Sequence, residues 1–503
     1  MTEELEVDGE NKSLWRGGAW KLFISRALTA WGDRLWAFGF GLMLIKMHPQ
    51  NFTVIAAFGL ANMLSSIFFG AAIGEWIDNN QRLFAARTFL IIQNTFVAIA
   101  CIVFALQFIY YQEIYHYAGV YGECFIIALL FLLALIANLA SCGSKIVVEK
   151  DWIVVIAGGD DDKLAKLNSI FRTIDLVCLN LSPALAGVSF DYAGYPITAG
   201  IIATWNIVSV VVEFTLLTSI YKDFEDLARK TWEVKAEEEK RKWYSKFTGS
   251  YSGWSFYLRH KVRNAGLGLA FLFMTVLGFD NITWAFSLKQ CVSETVLGFL
   301  LGASALVGIA GSLVYPHLKK CLGNVERGGI FGMLCLVSSL SLCVVSVWLP
   351  GSPFDPEAKY RNHSDATNAT DIIKEKCEEG GEELIMTSVI VLLAGIISAR
   401  FGLWISDLSI TQIIQENVEE SKRGVIGGVQ NSFNSFFNMI KFCLVLLMPT
   451  ENMFGILVIL SFIFICFGAI SLTSYAIRED KLPSPCCKSQ YKPTETDDHQ
   501  VET

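Results

Sequence analysis

Asp33 and Asp280 each lie near the middle of a long apolar run, within Trp31-Gly32-Asp33-Arg34 in one case and Gly278-Phe279-Asp280-Asn281-Ile282-Thr283 in the other. A carboxylate at membrane depth costs roughly 2.5 kcal/mol or more, so it persists mainly where it faces a cavity, a partner charge or a cation. Glycine shortly before each aspartate lets the backbone loosen, and glycine-interrupted segments at matching places in two halves point to a transporter's central site. Further polar groups sit inside apolar runs: Gln93, Asp175, Asn206 and Glu213 in the first half, and Asn281, Asp407, Asn438 and Lys441 in the second. Asn206 and Glu213 are close to two helical turns apart and so share one side of a helix. Gln430, Asn434, Asn438 and Lys441 form a stripe that either lines a pore or bonds helices together, and pore lining is the expectation.

All six histidines fall in loops, tails or span edges. A cation site here would therefore use carboxylate, amide and carbonyl oxygen, with Cys178, one turn from Asp175, as a soft ligand. Oxygen donors suit hard divalent ions such as calcium, magnesium and manganese, and hold ferrous iron more weakly, which suits a transporter that must release its cargo. Each residue also has a structural alternative. Asp33 can pair with Arg34, Asp175 with Arg172 on its own helix face, and Asn206 and Glu213 can hold helices together.

Such groups need membrane-spanning helices to position them, and the composition supplies these. Of 503 residues, 53% are hydrophobic and 17% charged, with a mean hydropathy of +0.45. A transmembrane helix needs about 20 mostly apolar residues, which picks out twelve spans at about 20–46, 53–76, 85–110, 121–147, 164–190, 197–221, 263–288, 293–317, 328–349, 385–409, 424–447 and 453–476. The fold class is then an all-α membrane protein with two six-helix lobes, residues 20–221 and 263–476, joined by a linker at 222–262. That is the major facilitator superfamily layout. The net charge of −8 leaves no basic footprint for nucleic acid. The stretch 1–19 opens with acids and shows no cleaved signal peptide.

The linker is dense in lysine and arginine, from Lys222 to Arg263, and basic residues stay cytosolic, which puts the tails 1–19 and 477–503 in the cytosol too. The loop at 350–384 is then external, where the sequons at Asn362 and Asn368 accept glycans. Cys291 and Cys377 fall in external loops, where a disulfide is open to them, and Cys486 and Cys487 in the tail are either palmitoylated or reduced. Between the second and third spans, Gly74-Glu75-Trp76-Ile77-Asp78-Asn79-Asn80-Gln81-Arg82 resembles the major-facilitator cytoplasmic loop, in which Asp78 pairs with Arg82 or another basic end and holds that side shut.

Several longer runs resemble the ferroportin family of cellular iron exporters. They are Thr29-Ala30-Trp31-Gly32-Asp33-Arg34, Lys150-Asp151-Trp152-Ile153-Val154-Val155, Met274-Thr275-Val276-Leu277-Gly278-Phe279-Asp280 and Gln415-Glu416-Asn417-Val418-Glu419-Glu420-Ser421, followed by Arg423-Gly424. The resemblance implies export of Fe2+ as substrate, in exchange for protons, through one metal site per lobe, with no enzymatic activity and no cofactor. It makes Asp33 the first-lobe metal carboxylate with Asp175 and Asn206 beside it. It links Gln93, Asn206 and Glu213, with Asp33, to Ca2+, and makes Asp78, Arg82, Asp151 and Arg423 a cytoplasmic gate. It also implies a plasma membrane, basolateral, location.

The departures fall in the second lobe. Where the family's best-known members carry a cysteine that serves both the second metal site and the hormone hepcidin, this chain has Asn281; where they carry a histidine in span eleven, it has Lys441. Hepcidin sensitivity is not expected from such a pair. A protonated Lys441 is instead expected to pair with Asp280 as a tethered cation, or else to snorkel to the interface. Two rival functions follow: transport of an organic solute whose carboxylate meets Lys441, or a membrane receptor or scaffold that has lost transport.

Overall fold

Backbone inside hydrocarbon has no water to bond, so each apolar run closes its N–H and C=O groups on itself as a helix. The computed structural model describes residues 18–47, 53–229, 253–278, 294–349, 382–448 and 453–481, with Ser352 and a few positions between 283 and 292. Among the described residues, six long helices precede the linker: α1 (Ala19–Met47), α2 (Thr53–Asp78), α3 (Arg82–Ile109), α4 (Tyr111–Lys145), α5 (Asp161–Ala193) and α6 (Tyr195–Asp223). Six follow: α7 (Arg263–Leu272), α8 (Glu294–Leu322), α9 (Val325–Ser346), α10 (Glu382–Asn417), α11 (Arg423–Leu447) and α12 (Phe454–Arg478).

Among the described residues, nine helices are long and apolar enough to cross a membrane. Three of the twelve expected spans depart from that standard. The 29 residues of α1 include Arg26, Asp33 and Arg34, and the 25 of α11 include the polar stripe from Gln430, so both are diluted by polar groups. The third, α7, stops after 10 residues at Leu272 instead of running on to 288. Beyond it the chain is irregular from Thr275 to Gly278, and side chains replace the missing helical bonds: Val276 N donates to Ser461 Oγ at 3.0 Å, and Thr283 Oγ1 donates to the Val276 carbonyl at 3.0 Å. Irregular backbone at membrane depth is tolerated where protein groups satisfy it in this way.

The fourth span is longer than expected. From Lys145 it continues through a π-helical stretch, Ile146–Trp152, and a last α-helical turn, Ile153–Ala157, which Gly158 ends in the left-handed conformation at φ +67°. Such π stretches frequently mark functional positions, and this one carries Glu149, Lys150 and Asp151. The next helix starts on a cap that the sequence supplies: Asp160 accepts from Asp162 N at 2.9 Å and Lys163 N at 3.0 Å.

In the first lobe α1 packs on α5 and α6, and α3 on α4 and α6; in the second α9 packs on α10 and α12, and α7 on α12. The lobes meet where α2 crosses α11 and α5 lies on α8. At the first crossing Gly70 and Gly74 face Gly428 and Gly424 so closely that a Cβ on Gly74 would run into the Gly424 carbonyl. Paired small residues of this kind let two helix backbones touch. Both contacts lie toward the side where Ala19, Asp78, Arg82, Asp223 and Arg263 gather, the linker side. Toward the far side, a Cβ on Gly59 of α2, or on Gly298 or Gly302 of α8, would meet nothing within 4 Å.

Candidate functional site

Three helices converge on Asp33. Gln93 Nε2 of α3 donates to its Oδ1 at 2.5 Å, Ser141 Oγ of α4 donates to its Oδ2 at 2.9 Å, and Lys145 Nζ lies 2.9 Å from that same Oδ2. Ser141 and Lys145 are four residues apart and therefore share a face of α4. The counter-ion is Lys145 and not Arg34, the local alternative the sequence offered, because neighbours in a helix point to different faces. The Lys145 side chain is 40% exposed and that of Asp33 12%, so a half-exposed lysine meets a mostly buried carboxylate. That region of α4 borders the second lobe: Cys142 Sγ accepts from Asn431 Nδ2 at 3.2 Å, and the Glu149 carbonyl accepts from Gln415 Nε2 at 2.7 Å.

The other first-lobe candidates are tied elsewhere. Asp175 is gripped through both oxygens by Arg26 Nη2, at 2.5 and 2.6 Å, and not by Arg172, the alternative on its own helix face; the same Arg26 lies 2.9 Å from Glu149. Arg172 crosses to the second lobe, where it bonds Asp407 and covers the Trp404 ring at 4.9 Å. Asn206 and Glu213 are both buried on one face of α6. Asn206 Nδ2 donates to the Ile202 carbonyl of its own helix at 2.8 Å, while Glu213 accepts from Ser209 at 2.6 Å and from Thr29 of α1. Among the described residues no three His, Cys, Asp or Glu side chains are gathered as a metal cage. What Asp33 offers a divalent ion is its carboxylate, the Ser141 hydroxyl and the Gln93 amide oxygen, which is buried without a hydrogen-bond partner. These are donors for a hard or borderline cation.

Asp78, Arg82, Asp151 and Arg423 come together on the linker side. Arg82 holds Asp151 with Nε at 2.7 Å and Nη2 at 3.2 Å, and Arg423 Nη1 lies 3.4 Å from Asp151. Asp78 caps α11, accepting from the backbone N–H groups of Gly424 and Val425 at 2.8 Å each, where a helix N-terminus favours a carboxylate. Sequence reasoning missed the rest of this layer. Arg82 Nη2 reaches Glu420 Oε1 at 2.6 Å, Asn168 Nδ2 donates to Gln415 Oε1 at 2.6 Å, and Lys319 Nζ pairs with Asp162 at 2.9 Å. Glu420 and Gln415 sit inside a run already singled out, but nothing local shows what they face.

The α11 stripe divides. Gln430 accepts from the Tyr257 hydroxyl at 2.5 Å and donates to the Gly266 carbonyl and to Asn434, each at 2.9 Å, so this end bonds helices together rather than lining a pore. Asn438 and Lys441 are half-buried, and the Lys441 ammonium lies 4.9 Å from the Phe442 ring centre. Asp280, Asn281, Asn362 and Asn368 lie outside the described residues, as do Cys291, Cys377, Cys486 and Cys487.

A family model described as Ferroportin1 matches residues 16–465. The chain belongs to the ferroportin family. Ferroportin from Homo sapiens is 35% identical over 523 residues, covering 90% of each protein. Among solved structures, that of a bacterial homologue of the iron transporter ferroportin in its outward-facing state superposes with a TM-score of 0.73 at 22% identity, covering 91% of this chain and 99% of that one. The major facilitator superfamily proton:xylose symporter XylE superposes at 0.62 with 12% identity, covering 93% and 96%. This family member is therefore a multi-pass membrane protein with a major-facilitator fold, helical throughout its long described segments.

Proposed function

We propose that the protein is an alternating-access exporter of divalent metal, carrying Fe2+ from the cytosol to the outside in exchange for protons. Membership of the ferroportin family supports metal transport, and the observation that carries the reading is the Asp33 carboxylate at mid-helix, bordered by Gln93, Ser141 and Lys145. A buried acid that faces its neighbours with oxygen donors holds a passing cation. With the basic linker in the cytosol, both termini lie there too, and the Asp78, Arg82, Asp151 and Arg423 cluster closes the cytosolic side. The described form then opens outward.

Asp175, Asn206 and Glu213 shape the first-lobe site around Asp33 and Gln93, and Ca2+ is the alternative ion there. Asn438 and Lys441 belong to a second-lobe site on this reading, to which the sequence alone also assigns Asp280 and Asn281. Glycans on Asn362 and Asn368 face outside at a plasma membrane, basolateral in a polarised cell. With Asn281 where the family's cysteine stands, the chain does not respond to hepcidin. Iron is cargo, and no cofactor takes part.

Iron flux in proteoliposomes tests the reading, with the unaltered chain moving Fe2+ and Asp33→Ala failing to. Equal flux from both would overturn it, and movement of organic anions in the same vesicles would favour a solute transporter. A second reading, a receptor or scaffold without transport, draws on the absence of a three-residue metal cage among the described residues. It predicts no cation movement at all.

A further inference from the structure

Lys145 stands where a cation would. Its Nζ lies 2.9 Å from Asp33 Oδ2, the oxygen that also accepts from Ser141, and its own side chain is 40% exposed. The opposite oxygen is held by Gln93 Nε2 at 2.5 Å, while Gln93 Oε1 stays buried with no hydrogen-bond partner among the described residues. An ammonium has donors only and no use for an acceptor it does not reach, whereas a divalent ion bound at Asp33 would take a second oxygen from that amide. A buried acceptor left idle calls for a ligand.

We propose that Lys145 is a tethered competitor for the cation at Asp33, displaced when the transported metal enters and returning to the carboxylate when it leaves. The inference rests on Asp33 being the substrate carboxylate. Two consequences follow from charge alone. With the ammonium in place the empty site stays neutral, so the lobes can rock back without an unpaired carboxylate at membrane depth. The competitor also sets selectivity, because a monovalent ion gains no Coulomb advantage over the ammonium it must replace, and a divalent ion does. The cargo class is therefore a divalent cation, admitted at reduced affinity.

The test is cobalt(II) titration of the purified full-length protein, unaltered and as Lys145→Met, Lys145→Arg and Asp33→Asn. Lys145→Met should bind cobalt about tenfold more tightly, and Lys145→Arg no more tightly than the unaltered chain. Unchanged or weaker binding by Lys145→Met overturns the proposal. If binding is lost in Asp33→Asn while Lys145→Met gains nothing, the competitor falls and the Asp33 site stands; if Asp33→Asn binds as the unaltered chain does, the site itself falls. A second measurement uses the unaltered chain alone, following the reaction of Lys145 with an amine-directed reagent by mass spectrometry. Cobalt should raise the labelling of Lys145 by freeing its ammonium, and labelling that cobalt leaves constant or lowers counts against the proposal.

Discussion

Arg82 joins the two lobes through one guanidinium: Nε and Nη2 hold Asp151 at 2.7 and 3.2 Å, and Nη2 also lies 2.6 Å from Glu420 of the second lobe. The arginine side chain is only 1% exposed. A planar fork can serve two carboxylates at fixed angles, which a lysine ammonium cannot. The π-helical stretch ahead of Ile153 places Asp151 for this contact, and Arg423 approaches the same carboxylate at 3.4 Å.

Replacing Arg82 by lysine keeps the charge and loses the fork. Losing a hydrogen bond to a charged group costs about 1.5–3 kcal/mol, here borne by the form closed on the linker side. Spin labels at the linker-side ends of α5 and α8 should then report a shift toward longer inter-lobe distances. An unaltered distance distribution in Arg82→Lys would show that other contacts close this side.

The α2–α11 crossing makes a sharper contrast between two glycines of one helix. A side chain on Gly74 meets the Gly424 carbonyl, while one on Gly59 meets nothing within 4 Å. Overpacking costs about 1–3 kcal/mol, and 1.4 kcal/mol is tenfold in a population, so Gly74→Val should lower transport about tenfold while Gly59→Val leaves it as it was. Equal losses from both variants would argue against backbone contact as the cause.

Much of this arrangement was legible in the chain, and the misses share a physical origin. Span positions follow from hydropathy, which is local; Asp78 and Arg82 stood out in a loop motif, and Asp151 and Arg423 joined them only through the family resemblance. The partners of the buried acids were not legible, because the sequence offers only neighbouring residues as alternatives and the cations that bind these acids come from other helices. Arg34 follows Asp33 but points to another face, and the cation arrives from Lys145 on α4; Asp175 takes Arg26 from α1 instead of Arg172. The break at Leu272, rather than at Gly278, depends on Ser461 and Thr283 accepting and donating bonds that no window around α7 contains. Gln430 looked like pore lining because a polar stripe is the same pattern whether it meets water or another helix.

The Gln93 amide should matter to metal binding more than to folding. Gln93→Leu keeps most of the volume while removing both the donor to Asp33 Oδ1 and the idle acceptor. Loss of a group that holds a metal-binding carboxylate typically costs about 10–100-fold in metal affinity, so affinity should fall at least about tenfold, a larger effect than the accompanying shift in melting temperature. Isothermal titration with cobalt(II) reads the first quantity and a thermal melt in detergent the second; a large drop in melting with affinity intact would recast Gln93 as a packing residue.

Tyr257 supplies the complementary case, a stability effect away from the Asp33 site. Its hydroxyl donates to Gln430 Oε1 at 2.5 Å, the tyrosine is fully buried, and Gln430 in turn donates to the Gly266 carbonyl of α7 at 2.9 Å. Tyr257→Phe leaves the glutamine oxygen buried without its donor, a cost of about 1–3 kcal/mol. Tyr257→Phe paired with Gln430→Met removes both polar partners and should recover part of that loss, since replacing both by apolar groups is close to neutral, although the Gly266 carbonyl then loses its own donor. Thermal melts of the single and double variants decide it: a double variant less stable than Tyr257→Phe alone would mean that the Gln430 bond to Gly266, and not the one to Tyr257, holds α11 on α7.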